Sequence, residues 1–171
     1  MTTRSLTKFA AALTVFSAVL CGCANYQLGT TLPPHLKTVS VTTFKNLSGE
    51  PNIESSITSA TLREFNRDGQ LKVKDADEAD ILLTGDIAEY TLDPVRQDRN
   101  NPKKTREYKA VIKMNILAVE RATGKKITSQ TVTGSKTFEA QGDLMTARRN
   151  VLPDVAEDLA KKTVDAVISA W

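Results

Sequence analysis

A strict alternation of apolar and polar side chains begins at Tyr108 and constrains the fold more than any other feature of the sequence. Lys109 and Lys113 are among the residues that separate the apolar positions of this stretch. The apolar positions are Tyr108, Ala110, Ile112, Met114 and Ile116. A period of two residues predicts a strand with one buried face and one solvated face. The turn RATGKK, through Gly124, and the Thr-rich residues 126–138 predict a hairpin that returns as a second strand.

Shorter apolar runs predict the remaining strands. The segment KTVSVTTF at 37–44 has Val39 and Val41 on one face, with Thr43 as a further candidate. The segments QLKV and DILLTGDIAEYTL follow as a short and a longer strand, the second with alternating Ile81, Leu83 and Ile87.

Two segments have the spacing of packed helices. The first is predicted to start at Pro51 and to stop at Asp68-Gly69, a glycine C-cap signal. Its apolar face comprises Ile53, Ile57, Thr61 and Phe65, with Leu62 on the flank. The second closes the chain, and Pro153 should kink it or mark where its long half starts. Its stripe comprises Leu152, Val155, Leu159, Ala166 and Ala170, with Val167 and Trp171 beside it. The order strand, helix, several strands, helix predicts an α+β two-layer sandwich, with two helices packed on one face of a mostly antiparallel sheet of four to five strands.

The first residues have the features of a secretory signal. Arg4 and Lys8 precede an apolar run from Phe9 to Leu20. This run is too short for a spanning helix, which needs about 20 apolar residues. Export is therefore expected.

Both cysteines follow this run, in Leu20-Cys21-Gly22-Cys23, which resembles the bacterial lipobox. The resemblance implies cleavage before Cys23 and acylation of its thiol, whereas Cys21 leaves with the signal. Two or more acyl chains hold a protein stably on a membrane. Since Ala24 rather than Asp follows, similarity to lipoproteins of Gram-negative bacteria implies the periplasm-facing side of the outer membrane. The expected organisation is a signal peptide at 1–22, a lipid-anchored tether at 23–36 and a single domain at 37–171.

Charge and residue usage exclude several functions. The chain has 23 Lys and Arg against 20 Asp and Glu, and two basic residues leave with the signal, so a nucleic-acid partner is not expected. With Cys23 acylated no thiol is left for a disulfide, a metal or a nucleophile. The single histidine, His35, follows two prolines in LPPHLK and reads as an exposed linker residue. We expect no enzymatic activity, no catalytic residues, no cofactor and no metal site.

The residues from Cys23 to Val73 resemble the start of the LptE family of lipopolysaccharide-assembly lipoproteins. Shared motifs are Tyr26 and Leu28, Leu32 to Thr38, Phe44 and Asn46, Glu50-Pro51, and Glu64 to Leu71. The resemblance continues through YTLDPVRQDRNNPKKTREYKA into the last helix and departs at Thr61, where the family more often has an aliphatic residue. It implies a non-enzymatic lipoprotein that associates with an outer-membrane β-barrel protein (LptD-like), helps it to assemble, and assists delivery of lipopolysaccharide.

Two alternatives remain open at this point. VSVTTFKNLSGEPN also looks like the opening of the TolB amino-terminal and curli-secretion type domains. Some of those lipoproteins activate peptidoglycan synthases or build secretion pores. The other alternative is a structural surface lipoprotein without a defined ligand.

A basic connection between two strands, DPVRQDRNNPKKTRE at 93–107, is the candidate contact for lipopolysaccharide. Its five basic residues, against three acidic ones, are Arg96, Arg99, Lys103, Lys104 and Arg106. Arg forms bidentate hydrogen bonds with phosphates, and Lys offers a point charge. Lys136, Arg148 and Arg149 are further candidates that the fold has to bring near. The alternative interpretation is a solvated hairpin tip whose charges only keep an edge soluble.

Overall fold

The computed structural model describes residues 32–97, 105–140 and 143–171, all within one compact unit, Thr31–Trp171. Its elements, numbered in chain order, are β1 (Thr38–Val41), β2 (Lys45–Asn46), α1 (Ile53–Asp68), β3 (Lys72–Val73), β4 (Ile81–Gln97), β5 (Thr105–Glu120), β6 (Lys126–Glu139) and α2 (Leu144–Ile168). Arg99, Lys103, Lys104 and the lipobox with Cys23 lie outside the described residues.

The sheet is mixed. Its order is β3-β1-β4-β5-β6, and β2 also pairs with β4. β1 runs parallel to β3 and to β4, because the helix α1 returns the chain to the same end of the sheet before β3. The three long strands β4, β5 and β6 are antiparallel. The predicted α+β class with two helices is confirmed. The predicted antiparallel pairing holds for the three long strands. The described sheet has six strands, whereas four to five were predicted.

The helices cover one side of the sheet, which we call the helix face. Every second residue of β5 from Ala110 to Ala118 is buried there, as the alternation predicts. α1 contacts β1, β2 and β3, and α2 contacts β5 and β6. The other side, on which Lys109 and Lys113 project, has no helix on it in the described chain, and we call it the open face.

α2 lies very close to β6 at Gly134. A Cβ atom placed on Gly134 would lie 2.5 Å from the Leu159 Cβ atom and 2.8 Å from the Val155 carbonyl oxygen. Since two of its near neighbours are backbone atoms of α2, only glycine permits this approach.

The helix ends follow the predicted signals with small shifts. Gly69 caps α1 with φ 76°, as predicted, whereas Pro51 lies in the turn before the helix. Thr61 is buried and its hydroxyl donates to the Ile57 carbonyl at 2.9 Å, so the polar residue is satisfied in the core. Pro153 lies inside α2. Ala170, predicted to be part of the stripe, and Trp171, predicted to lie beside it, follow the helix and are exposed, because α2 ends at Ile168.

Packed structure begins before β1. Leu32 and Leu36, within the predicted tether, are buried in the core. His35 between them is exposed, as predicted, with its Nε2 3.3 Å from Glu120 Oε1. Thr43 is exposed, because β1 ends at Val41.

Candidate functional site

The end of β4, the start of β5, the end of β6 and the start of α2 meet at one end of the sheet, which we call the distal end. β4 and β5 pair as far as Gln97 opposite Thr105, and Glu107 of β5 lies opposite Glu139 of β6. The candidate basic connection leaves the sheet here. Two of its five basic residues, Arg96 and Arg106, are described.

Arg96 lies on the open face and is neutralised locally. Its Nε atom is 3.4 Å from Glu107 Oε2, and its Nη2 atom is 3.8 Å from Glu139 Oε1. These residues follow one another across the three strands. Arg96 is therefore engaged with two carboxylates of the protein itself.

Lys136 lies on the opposite side of the sheet from Arg96. It pairs with the buried Ala110, and its Nζ atom is 3.7 Å from Asp154 Oδ2 of α2. Alternation along β5 places Arg106 on this helix face as well. Arg106 is exposed and, among the described residues, its guanidinium makes no ion pair. The described members of the predicted site thus form two groups on opposite faces.

A groove of about 380 Å³ lies between the end of β6 and the first turns of α2 on the helix face. Phe138, Ala147 and Val151 contribute apolar surface, and Asn150 and Asp154 contribute polar groups. The ring of Phe138 stacks on Tyr108 with centroids 6.1 Å apart. The groove itself combines an apolar wall with two acidic residues, Glu139 and Asp154, and Asp154 connects it to Lys136 on the same face.

The N-terminus of α2, next to this groove, is capped from within the chain. Asp143 accepts hydrogen bonds from the Met145 and Thr146 amides, at 3.3 and 2.9 Å, and from the Thr146 hydroxyl, at 2.8 Å. These bonds, that from the Thr146 side chain foremost, lower the pKa of the Asp143 carboxyl. Because a carboxylate already occupies the helix N-terminus, the amides are not free for an external anion.

Arg148, a further candidate from the sequence, is held in place by contacts with two other parts of the fold. Its Nη2 atom lies 2.8 Å from Glu50 Oε2, and its guanidinium lies over the ring of Tyr90, 4.5 Å from the centroid. The Tyr90 hydroxyl donates to the Arg148 carbonyl at 3.0 Å. Burial is the main cause that raises the pKa of Tyr90. Arg149 next to it is exposed.

The loop that carries Glu50 is held by Asn46. The Asn46 amide donates to the Glu50 carbonyl at 2.7 Å and to Glu54 Oε2 at 2.9 Å. Its side-chain oxygen accepts from the Ser48 amide and hydroxyl. Asn46 and Glu50 both belong to the motifs on which the family resemblance depends. The motifs themselves gave no indication that Glu50 pairs with Arg148.

The open face is polar and rich in hydroxyl groups. On β6 it presents Ser129, Thr131, Thr133, Ser135 and Thr137, each placed opposite an odd-numbered residue of β5. Thr131 donates to the Asn115 side-chain oxygen at 2.7 Å, and Lys113 pairs with Glu89 at 2.8 Å. Lys109 is also exposed on this face and makes no ion pair with another described residue.

The described residues contain no group of three or more His, Cys, Asp or Glu side chains that could hold a metal ion. None of the helices in the described ranges is long and apolar enough to cross a membrane.

The fold and this surface define a class of α+β domain with a helix-covered sheet, an uncovered polar face and a groove at one end. A family model for LptE, described as lipopolysaccharide-assembly, matches residues 36–167. The chain belongs to the LptE family. Membership agrees with the expected non-enzymatic role and favours the first of the three interpretations of the sequence.

Solved structures with the same fold have low sequence identity to this chain. Protein XCC0632 from Xanthomonas campestris is 11% identical, with a TM-score of 0.60, over 83% of this chain and 90% of that one. CT253 from Chlamydia trachomatis is 8% identical, with a TM-score of 0.58, over 79% and 97%. A minor lipoprotein from Acinetobacter baumannii is 17% identical, with a TM-score of 0.50, over 78% and 93%. At such identities the likeness concerns the fold alone. No curated protein matches the sequence.

Proposed function

We propose that the mature protein is an outer-membrane lipoprotein, anchored through Cys23, that associates with a β-barrel translocon of the LptD type. In this role it assists the assembly of the barrel and the insertion of lipopolysaccharide into the outer membrane. The observation that carries the proposal is the LptE family match over residues 36–167. The lipobox and the signal sequence support the anchoring.

The open face supports contact with the inside of a barrel. Interiors of outer-membrane barrels are polar. The hydroxyl-rich strand β6 and the matched pair of Lys113 with Glu89 present hydrogen-bonding groups without a net charge. Such groups can form hydrogen bonds with a wet, polar wall.

The distal end supports contact with lipopolysaccharide, an amphiphile that carries phosphates and acidic sugars. Arg106 and Lys136 lie on the same face as the groove lined by Phe138 and Val151. A basic group beside an apolar wall suits a phosphate attached to an acylated sugar. Arg96 is less suitable, because two carboxylates, Glu107 and Glu139, already engage it. Lys136 has a single carboxylate partner, Asp154 at 3.7 Å, and Arg106 has none among the described residues.

Depletion of the protein in cells tests the proposal. Less correctly assembled barrel and increased permeability to bulky hydrophobic antibiotics are expected. Co-purification after mild detergent extraction should recover a large β-barrel protein. Recovery of a peptidoglycan synthase instead supports the TolB-like alternative. Unchanged barrel levels and permeability after depletion contradict the proposal.

A further inference from the structure

The β6 strand forms one edge of the sheet, and half of this edge has no protection. The sequence from Ile127 to Ser135, ITSQTVTGS, contains no charged residue and no proline. Natural edge strands are usually short, charged, kinked or covered, because an unpaired edge is a template for another strand. An uncharged edge rich in Thr therefore requires an explanation.

The outward backbone groups of β6 can be assigned from their partners. The Ser135 amide donates to Asp158 Oδ2 of α2 at 2.8 Å, and Lys162 donates to the Thr133 carbonyl at 3.0 Å. Neither group is used in the ladder with β5. Since outward groups alternate along an antiparallel strand, the amides and carbonyls of Ser129 and Thr131 also point outward.

These four groups have no partner within the described ranges 32–97, 105–140 and 143–171. Asp158 and Lys162, which pair with each other at 2.7 Å, cover the edge only at Thr133 and Ser135. Ser129 and Thr131 are exposed. An extended strand laid along β6 would meet an N–H and a C=O group at each of them.

The other free edges of the sheet are protected. β3 has only two residues. Within the described ranges, β4 pairs only with β5 beyond Ile87. Its Tyr90 carbonyl accepts from Arg148 at 3.4 Å, and Pro94 has no amide to offer. Register shifts also interrupt the end of β4. The contrast singles out the 127–131 edge.

The charges beside the 127–131 edge indicate which kind of strand can pair with it. Lys125 and Lys126 stand at the start of the strand, are exposed, and make no ion pair with any residue that the structure describes. A second copy paired antiparallel about Thr131 would place Lys126 opposite Lys136 at both ends, and like charges directly opposite destabilise a sheet. A strand with a carboxylate at that end avoids this repulsion.

We infer that the β6 edge at residues 127–131 accepts an extended segment of the β-barrel partner, uncharged over its centre and acidic beside Lys125 and Lys126. This inference rests on the proposed function. A closed barrel has no free edge, so the added strand comes from a loop or a terminal segment outside the closed sheet. Backbone hydrogen bonds supply the affinity, and the hydroxyl-rich open face continues onto the added strand.

Thr131→Pro tests the inference, with Thr131→Val as the matched control. Both variants lose the hydroxyl bond to Asn115, but only proline removes the outward amide, and it leaves the β5 ladder intact. The readout is the amount of β-barrel protein retained after mild detergent extraction. We expect Thr131→Pro to lose about three- to tenfold more barrel than Thr131→Val, the equivalent of one backbone hydrogen bond, because both variants lack the hydroxyl and only proline lacks the amide.

A second variant does not depend on how the strand tolerates proline. Lys125→Glu with Lys126→Glu alters exposed side chains and should reduce retention, most strongly at low salt. If both this variant and Thr131→Pro retain the barrel as the wild type does, the inference is wrong while the proposed function stands. If the wild type itself retains no barrel, the proposed function fails and the inference fails with it. If Thr131→Pro abolishes only self-association, the occupant is a second copy and the inference is wrong.

Discussion

Arg148 shows how one side chain can fix three separate parts of this chain. It joins the start of α2 to the Asn46–Glu50 loop through Glu50 and to β4 through Tyr90. Arg148 and Glu50 have side-chain exposures of 24% and 16%. Removing one partner from such a pair leaves the other charge with reduced solvation.

Arg148→Met is therefore expected to lower the free energy of unfolding by about 2 kcal/mol. Urea unfolding measures it. The neighbouring Arg149→Met, at an exposed position, should change stability by less than about 0.5 kcal/mol. A double-mutant cycle with Glu50→Gln should show that the two effects are coupled. Equal effects of the two arginine variants would show that the pair does not stabilise the fold.

Asp80, just before β4, is a second residue that stabilises a contact between two elements, here with the start of β1. Its Oδ2 atom accepts from the Lys37 amide at 2.9 Å, the Thr38 amide at 3.0 Å and the Thr38 hydroxyl at 2.8 Å. The Lys37 backbone bond is the largest cause that lowers the pKa of the Asp80 carboxyl. A lowered folded-state pKa means that the stabilisation is present above the unfolded value of about 3.9 and is lost as pH falls through the folded value.

Asp80→Asn should accordingly cost about 2 kcal/mol of stability at pH 7. The difference from the wild type should shrink as the pH is lowered below about 4, since the carboxylate is then protonated. Unfolding measured across this pH range is the test, with Asp77→Asn, an exposed acid of the same turn, as control. A difference that stays constant with pH would contradict the role of the charge.

At the scale of the elements, the long strands divide the candidate basic residues between two faces. β4 carries Arg96 to the open face, and β5 and β6 carry Arg106 and Lys136 to the helix face. The basic residues of the connection form a single cluster in the sequence, but Arg96 and Arg106 lie in two separate environments, one on each face of the sheet. The groove lies on the face of Arg106 and Lys136, although Glu139, which engages Arg96, also lines it.

Charge reversal on the two faces distinguishes them. Arg106→Glu with Lys136→Glu should weaken capture of purified lipopolysaccharide roughly tenfold at low salt, and less at high salt. Arg96→Glu, the matched variant on the open face, should have little effect on capture. Thermal stability should stay nearly unchanged for the first variant, because exposed ion pairs contribute little.

Reversing Arg96, Lys103, Lys104 and Arg106 together tests the connection as a whole. If both sets bind as the wild type at low salt, neither this connection nor the groove is the contact.

At the scale of the whole molecule, the expected lipid anchor determines where the domain acts. The expected lipidation site, Cys23, precedes Leu32, the first core residue that the structure describes, by nine positions, a span of at most about 30 Å. We therefore predict that an acylated Cys23 keeps the β1 end of the sheet near the membrane surface. The distal end lies at the other end of β4, a strand of 17 residues.

Cys23→Ala should leave the protein uncleaved or soluble, whereas Cys21→Ala should still be acylated. Metabolic labelling with a palmitate analogue, followed by separation of membrane and soluble fractions, measures both. Label retained on the Cys23→Ala protein would falsify the assignment of the lipidated residue.

Local patterns of the sequence were sufficient to predict the helices and strands themselves. The period of two in β5, the glycine cap of α1 and the Gly124 turn of the β5–β6 hairpin, with φ 67°, depend on neighbouring residues only, and the structure has all three. The class of two helices on a sheet follows from their order. The resemblance to the LptE family, carried by short motifs such as Phe44 to Asn46, is confirmed by the family match.

Contacts between distant residues were decided only by the tertiary structure. The parallel pairing of β1 with β3 and β4, the partnership of Arg148 with Glu50, and the separation of Arg96 from Lys136 each join residues far apart in the chain. No local periodicity records such pairings, because they depend on strand order and on which face each register presents. The polar, Thr-rich strand β6 was predicted correctly from its own residues. Its position at the edge of the sheet depends on the strand order, which only the assembled sheet shows. The same holds for α2, which covers one half of that edge and leaves the other half free.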